Sequence, residues 1–84
     1  MSDQTLDLAG LVRVLVEPIV ECKDDLEIAE TVSDNGDALI EIRVNEEDTG
    51  KVIGRQGRVI KAVRTLVRAA AARTDQHVDV ELID

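Results

Sequence analysis

The chain of 84 residues is 44% hydrophobic, has no aromatic residue, and contains one cysteine and one histidine. This composition fits one small domain with an aliphatic core. It excludes an internal disulfide, a Cys/His zinc cluster and an aromatic platform for stacking bases. No apolar run approaches the about 20 residues that cross a bilayer, and the start lacks the basic and apolar regions of a signal peptide, so we expect a cytoplasmic protein with no membrane segment.

The net charge of −8 is distributed unevenly along the chain. Residues 1–50 carry 14 acidic and three basic side chains, and residues 74–84 carry four acidic ones, whereas residues 51–73 carry seven basic and no acidic side chains. Charges are largely screened beyond about 8 Å at physiological salt, so an anion bound near residues 51–73 would respond mainly to that basic segment. The acidic remainder should still slow the association of a polyanion.

The first half of the chain predicts a helix followed by a hairpin. Apolar residues from Leu8 to Ile19 recur at helical spacing, and Pro18 should break or kink this helix. Residues 26–32 and 38–44 are expected to be strands, the second because apolar and charged residues alternate along it. The Asn35-Gly36 pair between them favours an antiparallel hairpin with a type I′ turn, a loop that the flanking aspartates could lengthen.

The second half predicts two helices and a strand. Asn45 should cap a short helix that Gly54 ends. A longer helix over residues 57–73 places apolar residues on one arc and a basic stripe beside it, formed by Arg58, Lys61, Arg64 and Arg68. Alternation over residues 77–83 predicts a third strand. The order α-β-β-α-α-β indicates an α+β domain in which three helices pack on one face of a three-stranded sheet.

The most informative motif is Gly54-Arg55-Gln56-Gly57, named the GxxG loop below. Two glycines three residues apart let the backbone turn tightly and approach a ligand closely. The helix that follows presents free N–H groups and the positive end of its dipole, a combination that favours phosphate. Together with the acid-free basic helix behind it, the GxxG loop predicts a phosphate-binding site.

The loop, its apolar flanks and the element order together resemble a KH domain, whose GxxG loop clamps about four nucleotides. The order is similar to the type II arrangement, and the resemblance covers residues 1–84 as one domain with a core from about residue 6 to 83. The segment from Gly50 to Ala72 is similar to small single-domain bacterial KH proteins of the KhpA type. That resemblance implies a cytoplasmic single-stranded RNA-binding protein that self-associates or pairs with a larger Jag-type KH partner. It also implies a post-transcriptional regulator or RNA chaperone.

The resemblance assigns roles to particular residues of this sequence. The expected RNA-contacting residues are Lys51, Ile53, Gly54, Arg55, Gln56, Gly57, Arg58 and Lys61. Val52 and Ile60 occupy the apolar positions of the motif, which serve the core and the floor of the nucleotide groove. Ile40 and Ile42 would complete that groove if their face of the second strand is the exposed one.

Catalysis, metal binding and a cofactor are not expected. The only histidine, His77, is remote in sequence from the nucleophile candidates Cys22 and Ser33, and the GxxG loop lacks the Walker A pattern. A second reading from a different class remains open: the KH surface could serve as a protein-interaction module for homo- or hetero-oligomerisation, with little RNA affinity of its own.

Overall fold

The computed structural model describes residues 7–83 and contains the predicted elements in the predicted order. They are α1 (Leu8–Val16), β1 (Glu27–Val32), β2 (Ala38–Arg43), α2 (Thr49–Ile53), α3 (Arg58–Ala72) and β3 (Val78–Ile83). Single 3₁₀ turns lie at Lys23–Asp25, Glu46–Asp48 and Arg55–Gly57. The α+β prediction with the order α-β-β-α-α-β is therefore confirmed. Over residues 7–83, no helix is long and apolar enough to traverse a membrane.

The three strands form one mixed sheet in the order β1-β2-β3. β1 and β2 pair antiparallel, with Glu27 opposite Arg43, as the hairpin prediction requires. β2 and β3 pair parallel, with Ala38 beside Val78. A parallel pair needs a long crossover, and α2 and α3 supply it. This crossover places the start of α3 at the end of the sheet where β2 and β3 finish.

The core lies on one face of the sheet, beneath the helices. The central strand contributes Ala38, Ile40 and Ile42, each at most 4% exposed, and β3 contributes Val78 and Val80. From the helices the buried residues are Leu8, Val12, Val16, Val52, Ile60, Val63, Val67 and Ala71. From the sequence, Ile40 and Ile42 would line the nucleotide groove if their face of β2 were exposed. Both are fully buried, so they belong to the core and do not line a groove.

The structure confirms one local prediction, the break of the first helix near Pro18, and changes another, the turn of the hairpin. The first helix ends at Val16, before Pro18. The Lys23 ammonium donates to the carbonyl of the C-cap residue Glu17 at 3.0 Å and to that of Val20, in the segment after the helix, at 2.7 Å. The type I′ turn is wrong, because Gly36 has a φ of 89° whereas Asn35 is not among the residues with positive φ. The Gly36 N–H instead donates to the Ser33 carbonyl at 2.9 Å, and the Ser33 hydroxyl accepts from the Asp37 N–H at 3.2 Å. These contacts make a longer loop with a left-handed glycine.

Candidate nucleic-acid interface

Gly54 is the residue of the GxxG loop whose backbone conformation and packing most strictly require glycine. It ends α2 by donating its N–H to the Gly50 carbonyl at 2.9 Å and has φ 78° and ψ 172°, a conformation that glycine alone adopts without strain. A Cβ on Gly54 would lie 2.8 Å from the backbone nitrogen of Val59. The loop backbone therefore packs directly on the first turn of α3, which only a glycine permits.

The next residues turn the chain into α3. Gln56 has φ 57° and Gly57 has φ 75°, both in the left-handed region, and the Gly57 N–H donates to the Gly54 carbonyl at 3.1 Å. Gly57 is the N-cap of α3, and no side chain there accepts a hydrogen bond from the first turn. Since the early N–H groups of a helix have no partner within it, they are available to an anion at this end.

Basic side chains surround this uncapped end. Arg55, Arg58 and Lys61 are exposed, and within residues 7–83 none of them forms a salt bridge. The Arg58 guanidinium donates to the side-chain oxygen of Gln56 at 3.4 Å, which links the first turn of α3 to the middle of the loop. Three cationic groups and a helix N-terminus thus converge on one end of the molecule.

The rest of the predicted basic stripe serves another purpose. Arg64 Nε donates to the Val80 carbonyl at 2.8 Å, and Arg68 forms a 2.6 Å ion pair with Asp79. Both side chains fasten α3 to β3. The stripe therefore divides into a structural half near the end of α3 and a half near the GxxG loop, a division that helical periodicity alone does not reveal.

The outer edge of β3 lies beside the basic side of α3. The His77 carbonyl accepts from the Ala38 N–H at 2.9 Å. Because the backbone groups of alternate residues point to the same side of a strand, those of Val78, Val80 and Leu82 point away from β2. Arg64 already engages Val80, whereas Leu82 lies farther along the strand and is half-buried.

Asp48 is a buried anchor beneath α2. It is 0% exposed, and its two carboxylate oxygens accept from the backbone N–H groups of Glu21 at 3.0 Å and Cys22 at 2.9 Å. The Lys51 ammonium donates to Asp48 at 3.3 Å and to the Glu21 carboxylate at 2.8 Å. Lys51, expected from the resemblance to contact RNA, is thus engaged in holding α2 to the segment before β1. Sequence reasoning treated Asp48 as a first-turn acid like its neighbours, and no sequence signal separates it from them.

These contacts shift the ionisation of the groups involved. The N–H groups of Glu21 and Cys22 lower the pKa of Asp48 by stabilising its charged form, with a smaller contribution from Lys51 and partial opposition from burial. Hydrogen bonding to Glu21 raises the pKa of Lys51. Burial raises the pKa of the Cys22 thiol, and the neighbouring Asp48 carboxylate raises it further.

The predicted apolar positions fall into two environments. Val52 and Ile60 are buried, at 0% and 7% exposure, and pack in the core. Ile53 is 38% exposed and directly precedes the GxxG loop, so it is the apolar residue of the motif that a ligand can contact. Within the described residues, no three His, Cys, Asp or Glu side chains are grouped so that they could hold a metal ion.

Comparisons with known proteins point to one family. Residues 9–82 match the family model described as KhpA/KhpB, KH domain. The chain is 40% identical to the RNA-binding protein KhpA of Bacillus subtilis over 84 residues, which covers all of both chains. It is 42% identical to the KhpA of Caldanaerobacter subterraneus over 76 residues, which cover 90% of this chain and all of that one. It is 38% identical to the KhpA of Clostridium acetobutylicum over 73 residues, which cover 87% and 96%.

Solved structures show the same fold at lower identity. Aquifex aeolicus Era bound to GDP and AlF4⁻ aligns with a TM-score of 0.58 and 19% identity, over 96% of this chain and 33% of that one. Era in complex with MgGDPNP and a segment of 16S ribosomal RNA gives the same TM-score and identity, over 96% and 32%. The chain thus spans about a third of the Era chain.

Proposed function

The chain belongs to the KhpA/KhpB family of KH domains, and from this premise we propose that it is a single-stranded RNA-binding protein whose GxxG loop grips the RNA backbone. The observation that carries the proposal is the uncapped N-terminus of α3, set by the left-handed pair Gln56 and Gly57 and flanked by exposed cationic side chains. Relatives named RNA-binding proteins agree with this role. No catalytic step is assigned to the chain.

Phosphate recognition would come from the backbone and from three side chains. The first N–H groups of α3 would donate hydrogen bonds to a phosphate at the positive end of the helix dipole, and Arg55, Arg58 and Lys61 would add positive charge around it. If about three phosphates are neutralised, the logarithm of the binding constant should fall with the logarithm of salt concentration with a slope of roughly −2. Lys51 is assigned a structural role instead, because its ammonium already contacts Glu21 and Asp48.

The bases would lie between the GxxG loop and β3. Arg64 contacts Val80 and Arg68 contacts Asp79, so α3 and β3 run in opposite directions. Moving from Arg64 toward the loop therefore corresponds to moving from Val80 toward Leu82. The outward backbone groups of Leu82 then offer hydrogen bonds to base edges, and the exposed part of Ile53 offers apolar contact. This groove replaces the one expected from Ile40 and Ile42, whose side chains are buried.

The test is binding of labelled short single-stranded RNA, followed by fluorescence anisotropy at about 50 and about 200 mM salt. The Arg55→Asp/Gln56→Asp variant keeps both loop glycines and places negative charge where phosphate should bind. We expect it to lose RNA binding while its thermal melt stays unchanged. Arg73→Asp, at the opposite end of α3, is the charge-matched control for Arg55→Asp and should weaken binding far less. Equal losses in the two single variants would mean that net charge, not the loop, controls affinity.

The interaction-module alternative is favoured by one surface on α3. Leu66 is 52% exposed, and the exposed small residues Ala62 and Ala69 lie within a turn of it on the same side of the helix. We propose that a second copy of the chain covers this surface, which would raise RNA affinity by supplying a second loop. Leu66→Glu should then lower the mass measured by sedimentation, whereas Thr31→Glu, at an exposed position on β1 far from this surface, should leave it unchanged. Loss of dimer with undiminished RNA affinity would separate the two roles.

We propose further that the chain pairs with a larger Jag-type, KhpB-like protein and acts in post-transcriptional control or as an RNA chaperone. The family description, which joins KhpA and KhpB, supports this pairing. Mixing the purified chain with such a protein should give a stable complex by size-exclusion chromatography. If the two elute separately at micromolar concentrations, the partnership is rejected while RNA binding by the chain alone is unaffected.

A further inference from the structure

The two edges of the sheet differ in how they are protected. At the β3 edge, the Arg64 side chain donates a hydrogen bond to the outward carbonyl of Val80, and Arg68 forms an ion pair with Asp79. At the β1 edge, five of the six residues are exposed. Within residues 7–83, no other element pairs with the outer side of β1. An exposed edge of this kind presents a row of backbone donors and acceptors to another chain.

The hairpin register identifies the outward backbone groups of β1. The Ser33 N–H donates to the Asp37 carbonyl at 2.8 Å, so the backbone groups of Ser33 point toward β2. Because the direction alternates along a strand, those of Thr31, Ala29 and Glu27 also point toward β2. The residues between them direct their N–H and C=O groups to the open edge: Ile28, Glu30 and Val32. Their partners on β2 are Ile42, Ile40 and Ala38, which are buried. The side chains of the three outward residues therefore lie on the helix-covered face of the sheet.

These three side chains form an apolar–acidic–apolar row. Ile28 is half-buried and Val32 is 59% exposed, with the exposed Glu30 between them. A carboxylate on the core side of an edge strand opposes pairing with a neutral or acidic strand. Antiparallel pairing of two β1 strands centred on Glu30 would place it opposite Glu30 of the second copy, and like charges directly opposite each other are destabilising. The row therefore selects against a second copy at this edge.

We propose that the outer edge of β1 binds an extended segment of another protein that carries a lysine or arginine between two apolar residues, in the pattern apolar-x-basic-x-apolar. The segment adds a fourth strand through the backbone groups of Ile28, Glu30 and Val32, which is the strand-addition mode of peptide recognition. Its basic residue lies opposite Glu30 and its apolar residues lie opposite Ile28 and Val32. On the other face of the sheet, Glu41 adds to the attraction for a basic segment, whereas Glu27 is offset by Arg43 directly opposite it. This surface lies at the edge opposite β3 and is independent of the RNA proposal.

The probe is a short fluorescein-labelled peptide with the sequence Thr-Val-Thr-Lys-Thr-Val-Thr, compared with the same peptide carrying Glu in place of Lys. Anisotropy titration should show binding of the Lys peptide at concentrations up to about 1 mM. The Glu peptide should bind about tenfold more weakly, from the difference between attractive and repulsive cross-strand pairs. Glu30→Lys should reverse that preference, whereas Asp34→Lys, in the exposed hairpin loop, should not.

A third peptide separates strand addition from simple charge attraction. Methylating the backbone nitrogens that would face β1 removes the donors but keeps the charge, and it should abolish binding. No binding of the Lys peptide would overturn the proposal, as would equal binding of the methylated peptide or an unchanged preference in Glu30→Lys. A change in oligomer mass in Glu30→Lys would show instead that a second copy occupies this edge, which also overturns it.

Discussion

Replacing each of three glycines around the GxxG loop by alanine should give three different stabilities, and the contrast tests the loop geometry directly. Gly54 has φ 78° and ψ 172°, a region that costs about 1–3 kcal/mol for a residue with a side chain. Its Cβ would also lie 2.8 Å from the Val59 nitrogen. Because that atom is backbone in the first turn of α3, relief requires the helix to move. Gly54→Ala should therefore lower the free energy of unfolding by at least about 2 kcal/mol.

The other two substitutions are matched controls. Gly57 has φ 75°, but a Cβ there would meet only Lys61 Cε, at 3.7 Å. Gly57→Ala should then cost roughly 1 kcal/mol from the left-handed backbone alone. Gly50 lies inside α2, and a Cβ there meets no atom within 4 Å. Gly50→Ala should stabilise the chain by about 0.5–1 kcal/mol, because alanine restricts the unfolded chain more than glycine does.

Thermal melting followed by far-UV circular dichroism measures all three, since the chain has no tryptophan or tyrosine to report by fluorescence. For a domain of this size, 1 kcal/mol shifts Tm by about 4–8 °C. We expect Gly54→Ala to lower Tm by about 8 °C or more, Gly57→Ala by about 4–8 °C, and Gly50→Ala to raise it by a few degrees. Equal effects of Gly54→Ala and Gly57→Ala would refute the close packing of the loop on α3.

Three further outcomes concern the network under α2. The pKa of Asp48 is lowered in the folded chain, so its contribution is complete above its unfolded pKa and is lost as pH falls through the folded value. The stability difference between the wild type and Asp48→Asn in urea titrations should accordingly shrink below about pH 4. Because the pKa of Cys22 is raised, with Asp48 contributing, iodoacetamide should alkylate Cys22 more slowly than free cysteine at mildly alkaline pH, and Asp48→Asn should speed the reaction. Lys51→Met should lower Tm but leave the salt dependence of RNA binding unchanged. Lys61→Met should instead reduce the salt slope by about 0.7 and leave Tm unchanged. The reverse pattern would mean that Lys51 contacts RNA.

The amino-acid sequence by itself determined the type and order of the elements. Helical and alternating periodicities are local properties, and the apolar residues between Leu8 and Val16 and over residues 58–72 carry them clearly. The GxxG loop was also readable, because its two glycines stand where a helix must stop and another must start. The same local information did not determine the hairpin turn: Asn35-Gly36 favoured type I′, but the Ser33 side chain engages the Asp37 N–H and the loop is longer.

The tertiary structure decided which side chains remain available. Periodicity cannot distinguish Arg64 and Arg68, which bind β3, from Arg58 and Lys61, because the partners lie about 11 to 16 residues away along the chain. Nor can it tell which face of β2 is covered, so the burial of Ile40 and Ile42 emerged only from the packing of α1 and α3. Asp48 follows the same rule: its donors, the N–H groups of Glu21 and Cys22, are 27 and 26 residues distant. Local propensity selects helices and strands, whereas burial and pairing depend on contacts between residues far apart in sequence, which form only when the whole chain is folded.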